Sequence, residues 1–429
     1  MKVLKTVAFK TLGCRLNQFE TDALVTGFHN AGYHVVEGDE KADVTVINTC
    51  TVTNQSDQKS RHTINHAAAK NRDGLVVVTG CMADNYKEKL EGQEQITYVV
   101  DNDRKSQIVE LVNGHFTGEI IHPDKMMGDR FGFDTVQKSL HTRTSVKIQD
   151  GCDNFCTFCI IPSVRGRAVS RPVKDVLDNV RRVVDNGFKE VVITGVNIGR
   201  YDDEGLTFEN VVEQVLELPG DFRVRISSLE PDGFSEDFHQ LFSHPKLAPH
   251  LHLCLQSGSG EILLKMRRMY SANYFMETVE RFRKAIPDFN FTTDVIVGFP
   301  GETDDDFQKT VDFIREAKFS HVHTFRFSRR TGTRADRMKE QVSGKVMAER
   351  SEVIRKISEE NRHAYMHSMQ GKEQRVLIEK VAGGMASGYG EHYMPVAFAV
   401  EDPTTNRFEQ VRLTGTTPSA DPVMQGTLI

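Results

Sequence analysis

Three cysteines in the first hundred residues each close an apolar, β-rich run: Val7-Ala8-Phe9-Lys10-Thr11-Leu12-Gly13-Cys14, Val44-Thr45-Val46-Ile47-Asn48-Thr49-Cys50 and Val76-Val77-Val78-Thr79-Gly80-Cys81. Helical patterns separate them, as where Phe19, Leu24, Val25 and Phe28 recur until Gly32. Short β-rich runs alternating with helices predict a Rossmann-like parallel α/β domain over residues 1–120. The strands of such a sheet all point one way, and ligands gather outside their carboxyl ends. Cys14, Cys50 and Cys81 are therefore expected to converge on one sheet edge, although 36 and 31 residues separate them. Three further cysteines form a tight C-x3-C-x2-C set at Cys152, Cys156 and Cys159, which leaves only Cys254 of the seven.

A chain of 429 residues is too long for one core, so two or three domains are expected. An apolar share of 38% and a charged share of 27% suit a soluble globular protein. No apolar stretch approaches the roughly 20 residues that span a bilayer. The start, Met1-Lys2-Val3-Leu4-Lys5-Thr6-Val7, lacks the long apolar core of a secretory signal, so a reducing cytoplasm is expected and disulfides explain the cysteines poorly. A net charge of -6 argues against indiscriminate nucleic-acid binding, and no DNA partner is expected. Residues 321–340 nevertheless carry six Arg or Lys against two acids.

Residues 121–139, polar and containing Pro123, Gly128 and Gly132, read as a linker. A second β/α series follows, over 140–367, with strands predicted at Thr144 to Ile148, Glu190 to Thr194, Arg223 to Ser227, Leu251 to Leu255, Phe291 to Val297 and His321 to Phe327. Six units fit a partial (β/α)6 barrel with its chemistry at the carboxyl ends of the strands. Those ends carry the unusual residues: the tight triplet, Gly195 and Asn197, Ser227, Gln256 and Ser257, and Gly298. Residues 345–369 read as a charged helix. From there, over 368–429, short strands punctuated by Gly383, Gly384, Gly388 and Gly390 predict a small β-barrel.

A four-iron cluster ordinarily takes four thiolates. Three cysteines on one loop hold three corners and leave one iron open to a small molecule, by the logic that separates open from closed zinc sites. A structural zinc site or three unrelated thiols is the alternative, although zinc loops favour C-x2-C pairs with a fourth ligand.

Gly151 to Cys159 resembles the radical S-adenosylmethionine signature. That resemblance implies that S-adenosylmethionine chelates the open iron, that one electron from the cluster releases a 5′-deoxyadenosyl radical, and that Phe158 lies against the adenine. Gly195, Asn197, Ser227, Gln256 and Gly298 are the further expected cofactor contacts. The contexts of Cys14, Cys50 and Cys81, with Ile161-Pro162-Ser163-Val164-Arg165-Gly166-Arg167, Arg225-Ile226-Ser227-Ser228-Leu229-Glu230-Pro231, Asp294 to Thr303 and Ser328-Arg329-Arg330-Thr331-Gly332-Thr333, resemble the radical S-adenosylmethionine methylthiotransferase family along nearly the whole chain. The carboxyl-terminal barrel is similar to a TRAM domain, a small RNA-binding module. By this resemblance Cys14, Cys50 and Cys81 hold an auxiliary [4Fe-4S] cluster carrying sulfur, two S-adenosylmethionine molecules are used per turnover, and an electron donor is needed. The two strand-end edges should then face each other across one cavity.

Family members act on adenosine 37 of a tRNA anticodon stem-loop, bearing either an isopentenyl or a threonylcarbamoyl group, or on an aspartate of a ribosomal protein. Asn48-Thr49-Cys50-Thr51-Val52-Thr53 most resembles the threonylcarbamoyl branch. A threonyl carboxylate suits an Arg fork, and Arg165, Arg326, Arg329 and Arg330 are the expected substrate contacts. A reading of another class is a non-enzymatic RNA-binding iron–sulfur sensor. Three features depart from the family pattern: the carboxyl-terminal residues 371–429 carry a net charge of -2, Ser163 and Val164 stand where an aromatic and a small residue are frequent, and Cys254 stands where proline is frequent. Cys254 is read as an inert strand residue, Thr303 with Asp306 as a helix cap, and His62 with His66 as a solvated helix face.

Overall fold

The computed structural model describes residues 4–38, 40–137, 142–419 and 421–429. Residues 138–141, at the predicted junction of linker and second series, lie outside them. The chain gathers into two compact units: one of residues 1–186 with 194–196 and 328–333, the other of 187–193, 197–327 and 334–429.

The first unit opens with a five-stranded sheet, β1 (Thr6–Thr11), β2 (His34–Val36), β3 (Val44–Thr49), β4 (Leu75–Gly80) and β5 (Tyr98–Val100). Its strands run parallel in the order β2-β1-β3-β4-β5. Every residue of β3 and β4 is buried, as befits central strands covered on both faces. Val44 and Val46 of β3 pack with Leu24, Val25 and Phe28 of α1 (Arg15–Asn30), whereas Ile47 packs with Ile64, Ala67 and Ala68 of α2 (Asn54–Lys70). This alternation is the period-two signature of a strand between two helical layers. On α2, His62 and His66 stand on an exposed face with their rings stacked at 6.3 Å, as the sequence suggested. The same unit holds β6 (Thr144–Lys147), the cysteine loop after it, and α4 (Val173–Asp185), whose Val176, Val180 and Val183 are buried. A short helix, α3 (Cys81–Asn85), begins directly on the third cysteine.

In the second unit β7 (Glu190–Thr194) pairs in parallel with β8 (Arg223–Ile226), and β9 (His250–Leu253), β10 (Asn290–Val297) and β11 (His321–Arg326) pair in parallel in turn. The succession of elements is that of the partial (β/α)6 barrel expected from the sequence. A capping box of Thr303 and Asp306 starts the helix Asp304–Ala317. The charged helix runs over Gly344–Ser368.

The chain ends in a closed five-stranded barrel built from β12 (Glu373–Ala382), β13 (Met385–Tyr389), β14 (Pro395–Ala399), β15 (Phe408–Thr416) and β16 (Met424–Leu428). Closure removes the free strand edges that an open sheet exposes. Val376, Ile378, Val396, Phe398, Val411 and Leu413 fill it. Two arginines of β8 attach this barrel. Arg223 donates to the carbonyls of Arg375 (2.7 Å) and Tyr389 (3.1 Å), and Arg225 to those of Gly390 (3.3 Å) and Glu391 (3.2 Å). Both are buried, and both pair with the carboxylate of Glu190, at 2.6 Å from Arg223 Nε and 2.9 Å from Arg225 Nε.

Candidate functional site

The strand ends of the first unit come together around Asn17. Its side-chain amide, on the first turn of α1, donates to Leu12 O (2.7 Å) beside Cys14 and to Thr49 O (3.0 Å) beside Cys50. Gly13 permits the close approach: its φ is +102°, and a Cβ there would lie 2.8 Å from Cys50 Cβ and 3.1 Å from Cys50 Sγ. Ser60 accepts from Cys50 N (3.2 Å) and donates to Cys50 O (2.8 Å), fixing that cysteine to α2. Burial pushes the Cys81 thiol up to about 11 against the pull of Arg165 and Lys105, and a charge on Cys14 or Cys50 pushes it further up. Burial likewise raises the Cys50 thiol, with Cys14 adding to it. Cys14 itself is exposed. Three thiols thus feel one another electrostatically on one sheet edge. Burial opposes ionisation of Cys50 and Cys81, and a bound metal would reverse this, since a coordinating thiol is deprotonated outright.

The tight triplet lies on the loop after β6. Gly151, with φ +71°, makes the turn into it, and a Cβ there would lie 2.0 Å from Arg167 O. Cys152 N donates to Gly166 O (3.1 Å) and Cys159 N to Cys156 O (3.0 Å), so the loop is closed by its own backbone. Asn154 N points at Cys152 Sγ at 3.5 Å, a donor suited to a thiolate. All three cysteines are half-buried. An all-sulfur donor set on one loop fits a [4Fe-4S] cluster with one iron left open. Phe158, immediately before the third cysteine, is also half-buried.

The two triplets are mechanically joined. Cys81 packs against Ile160 and Val164, the residues that follow Cys159. Arg165 donates to Asn17 Oδ1 (2.8 Å), to both carboxylate oxygens of Glu20 (3.0 and 3.1 Å) and to both of Asp150 (3.1 Å each). Lys105 and Lys147 also pair with Glu20, and Lys147 with Asp150. Three cations surround two carboxylates, and all five side chains are at most 1% exposed. Despite full burial, Arg165 and the two lysines hold Glu20 well below the usual carboxylate range.

A second buried arginine serves the auxiliary edge. Arg330 donates to Thr51 Oγ1 (2.8 Å), Asn54 Oδ1 (2.9 Å) and Asp57 Oδ2 (2.9 Å), while Asn54 N donates to Ser328 Oγ (3.0 Å). Segment 328–333 therefore grips the turn that follows Cys50. Of the four arginines expected to meet substrate, Arg165 and Arg330 are committed to carboxylates of the protein itself, because burial leaves a guanidinium no alternative to ion pairing. Arg326 and Arg329 are exposed.

The other expected cofactor residues lie at strand ends. Gly195 follows β7 directly, and the neighbouring Val196 N donates to Gln149 Oε1 (3.1 Å). Asn197 and Ser227 are buried, and Ser227 N donates to Ile193 O (3.0 Å). Gln256 adopts φ +68° and forms a parallel bridge with Val295. Gly298 N donates to the Glu302 carboxylate at 2.6 Å. Sequence reasoning missed Asn17, Glu20 and Asp150. No local signal marks them, since the helix that carries Asn17 and Glu20 is about half polar along its length.

Comparison with known proteins accords with this geometry. Residues 6–101 match the family described as Uncharacterized protein family UPF0004, and residues 146–314 match the Radical SAM superfamily. The Threonylcarbamoyladenosine tRNA methylthiotransferase MtaB of Chlamydia pneumoniae is 37% identical over 93% of this chain and 93% of its own. The tRNA-2-methylthio-N(6)-dimethylallyladenosine synthase of Thermodesulfovibrio yellowstonii is 31% identical over 87% of this chain and 88% of its own. In fold, the chain resembles the radical S-adenosylmethionine methyltransferase TsrM from Kitasatospora setae, with a TM-score of 0.56 at 14% identity over 90% of this chain and 77% of that one. With relatives this similar along nearly their whole length, and with both cysteine sets in place, the chain belongs to the radical S-adenosylmethionine tRNA methylthiotransferases.

Proposed function

We propose that this enzyme transfers a methylthio group to C2 of N6-threonylcarbamoyladenosine at position 37 of tRNA, drawing on two [4Fe-4S] clusters, two S-adenosylmethionine molecules per turnover and an external electron donor. The observation that carries the two-cluster reading is the joining of both cysteine triplets through Asn17, Glu20 and Arg165 within one unit. Cys152, Cys156 and Cys159 would hold one cluster and Cys14, Cys50 and Cys81 the other, the first to supply radical chemistry with S-adenosylmethionine and the second to supply the sulfur.

The protein's own residues do the positioning. The buried Glu20 hub fixes the distance between the two loops, so radical formation and sulfur delivery are held in register. The exposed Cys14 is the open side of the auxiliary edge. Phe158, Gly195, Asn197, Ser227, Gln256 and Gly298 are proposed to line the S-adenosylmethionine, with Phe158 against its adenine. Arg326 and Arg329, exposed and cationic, are the proposed holders of the threonyl carboxylate. The higher identity to the relative named for threonylcarbamoyladenosine, 37% against 31%, supports that substrate.

Nucleoside mass spectrometry of tRNA from cells with and without the gene tests the substrate. Loss of the methylthio form of threonylcarbamoyladenosine is expected, whereas loss of the isopentenyl derivative, or no change in tRNA, would overturn the assignment. Iron analysis after anaerobic reconstitution tests the clusters. About eight irons per chain are expected, and about four would remove the stored-sulfur scheme.

A further inference from the structure

Three neighbouring strands of the second unit place a grid of metal-ligating side chains on one face. Parallel register sets His252 of β9 beside Thr292 of β10, Thr292 beside His321 of β11, and Asp294 beside His323. Residues two apart on a strand share a face, so Cys254, just past β9, joins His252, while Asp294 joins Thr292 and His323 joins His321. The intervening Leu253, Thr293 and Val322 are buried on the opposite side. The grid is accessible: His252, Cys254 and Asp294 are each half-buried, and His323 is exposed.

One ligand atom from each of His252, Cys254 and Asp294 lies within 4.8 Å of the other two. His252 Nε2 is already 3.2 Å from Asp294 Oδ1. On the other side of the ring, His252 Nδ1 is 3.0 Å from Thr292 Oγ1, whose hydroxyl also lies 3.1 Å from His250 Nε2. That contact orients the imidazole with Nε2 toward the aspartate, the arrangement in which an outer hydrogen bond fixes a metal-binding histidine. His323 is a further donor close by, its ring 5.6 Å from that of His252.

We propose that His252, Cys254 and Asp294 form a binding site for a thiophilic divalent transition ion, zinc in the first instance. One sulfur, one imidazole nitrogen and one carboxylate oxygen are the mixed soft and borderline set that zinc accepts in four-coordinate sites. Three protein ligands on a partly open face leave a fourth position for solvent or His323. Magnesium and calcium are disfavoured, since both want oxygen ligands throughout. The site is separate from the six cysteines assigned to iron and stands independently of the substrate reading above.

The test uses the reconstituted enzyme carrying its full iron complement, so that the six iron-binding cysteines are occupied. It is mixed with one equivalent of Zn²⁺, gel-filtered, and examined by zinc K-edge EXAFS. About one zinc per chain is expected to remain, with a single sulfur scatterer near ~2.3 Å and nitrogen or oxygen scatterers near ~2.0–2.1 Å. Cys254→Ser should lose the sulfur shell and, like Asp294→Asn, bind zinc at least tenfold more weakly at unchanged iron content. Failure of the wild-type enzyme to retain zinc, two or more sulfurs per zinc, or equal retention by Cys254→Ser would each overturn the proposal. The wild-type spectrum decides the matter even if a variant does not fold.

Discussion

Arg165 and Glu20, 145 residues apart in sequence, meet through two hydrogen bonds, Nη1 to Oε1 at 3.0 Å and Nη2 to Oε2 at 3.1 Å. Arg165 follows Cys159 by six residues and Glu20 follows Cys14 by six, so one forked ion pair ties the two cysteine sets. Glu20→Gln preserves the shape but leaves Lys105 without its carboxylate and Lys147 and Arg165 to share Asp150 alone. Removing one member of a buried pair costs about 3–5 kcal/mol, and a matching fall in ΔG of unfolding from urea titrations of the cluster-free protein is expected. An unchanged unfolding free energy would mean that the hub contributes no net stability.

Gly151→Ala isolates the radical site. A Cβ placed 2.0 Å from Arg167 O cannot be accommodated without opening the loop that carries Cys152, and the φ of +71° adds strain of about 1 kcal/mol. Iron per chain is expected to fall from about eight to about four, with the auxiliary cluster signal retained in electron paramagnetic resonance and deoxyadenosine formation lost. Full iron content in the variant would refute the loop's dependence on glycine.

Arg330→Lys tests the other edge. A lysine keeps the charge but cannot serve Thr51, Asn54 and Asp57 together, as the guanidinium does. Deoxyadenosine formation from S-adenosylmethionine should survive while methylthio transfer falls at least tenfold, because the turn after Cys50 loses its clamp. Equal loss of both activities would place Arg330 in the radical chemistry instead.

Acid should weaken the second unit. Burial pushes His392 down to about 4 and His321 likewise to about 4, against 6.5 for an ordinary imidazole. Between those values the unfolded chain binds more protons than the native one, so stability rises with pH there. The contribution is whole above pH 6.5 and is lost as pH falls through about 4. His392 engages Gln374 of the terminal barrel, and its own carbonyl accepts from Asn290 at 2.7 Å. Stability is expected to drop by up to about 3 kcal/mol for each histidine between pH 7 and pH 4. The slope should flatten in His392→Gln, and an identical slope in that variant would assign the acid sensitivity elsewhere.

What the sequence disclosed follows the range of the interactions involved. The convergence of Cys14, Cys50 and Cys81 could be inferred because a parallel sheet has one carboxyl edge, and each cysteine announces its strand by the apolar run before it. The predicted strand Glu190 to Thr194 agrees with the structure residue for residue, and the other five of its series differ by one or two residues at one or both ends. Arg165 was harder. Nothing in Val164-Arg165-Gly166-Arg167 marks Arg165 as the buried arginine and Arg167, two residues on, as the largely exposed one. The difference lies in Glu20 and Asn17, which only the three-dimensional fold brings within reach. The grid around His252 was invisible for a related reason: no single strand carries a metal motif, and the ligands pair through register between β9 and β10.

The two arginines of β8 hold the terminal barrel by its main-chain carbonyls, and no barrel side chain takes part in those four bonds. Substitution of barrel side chains therefore leaves these four bonds in place, although Arg375 and Lys372 add ion pairs of their own with Asp221 and Asp288. At positions that face solvent, the module can change its charge, now a net -2 over residues 371–429, and with it what it meets in solution, while its main chain keeps hold of the enzyme that carries it.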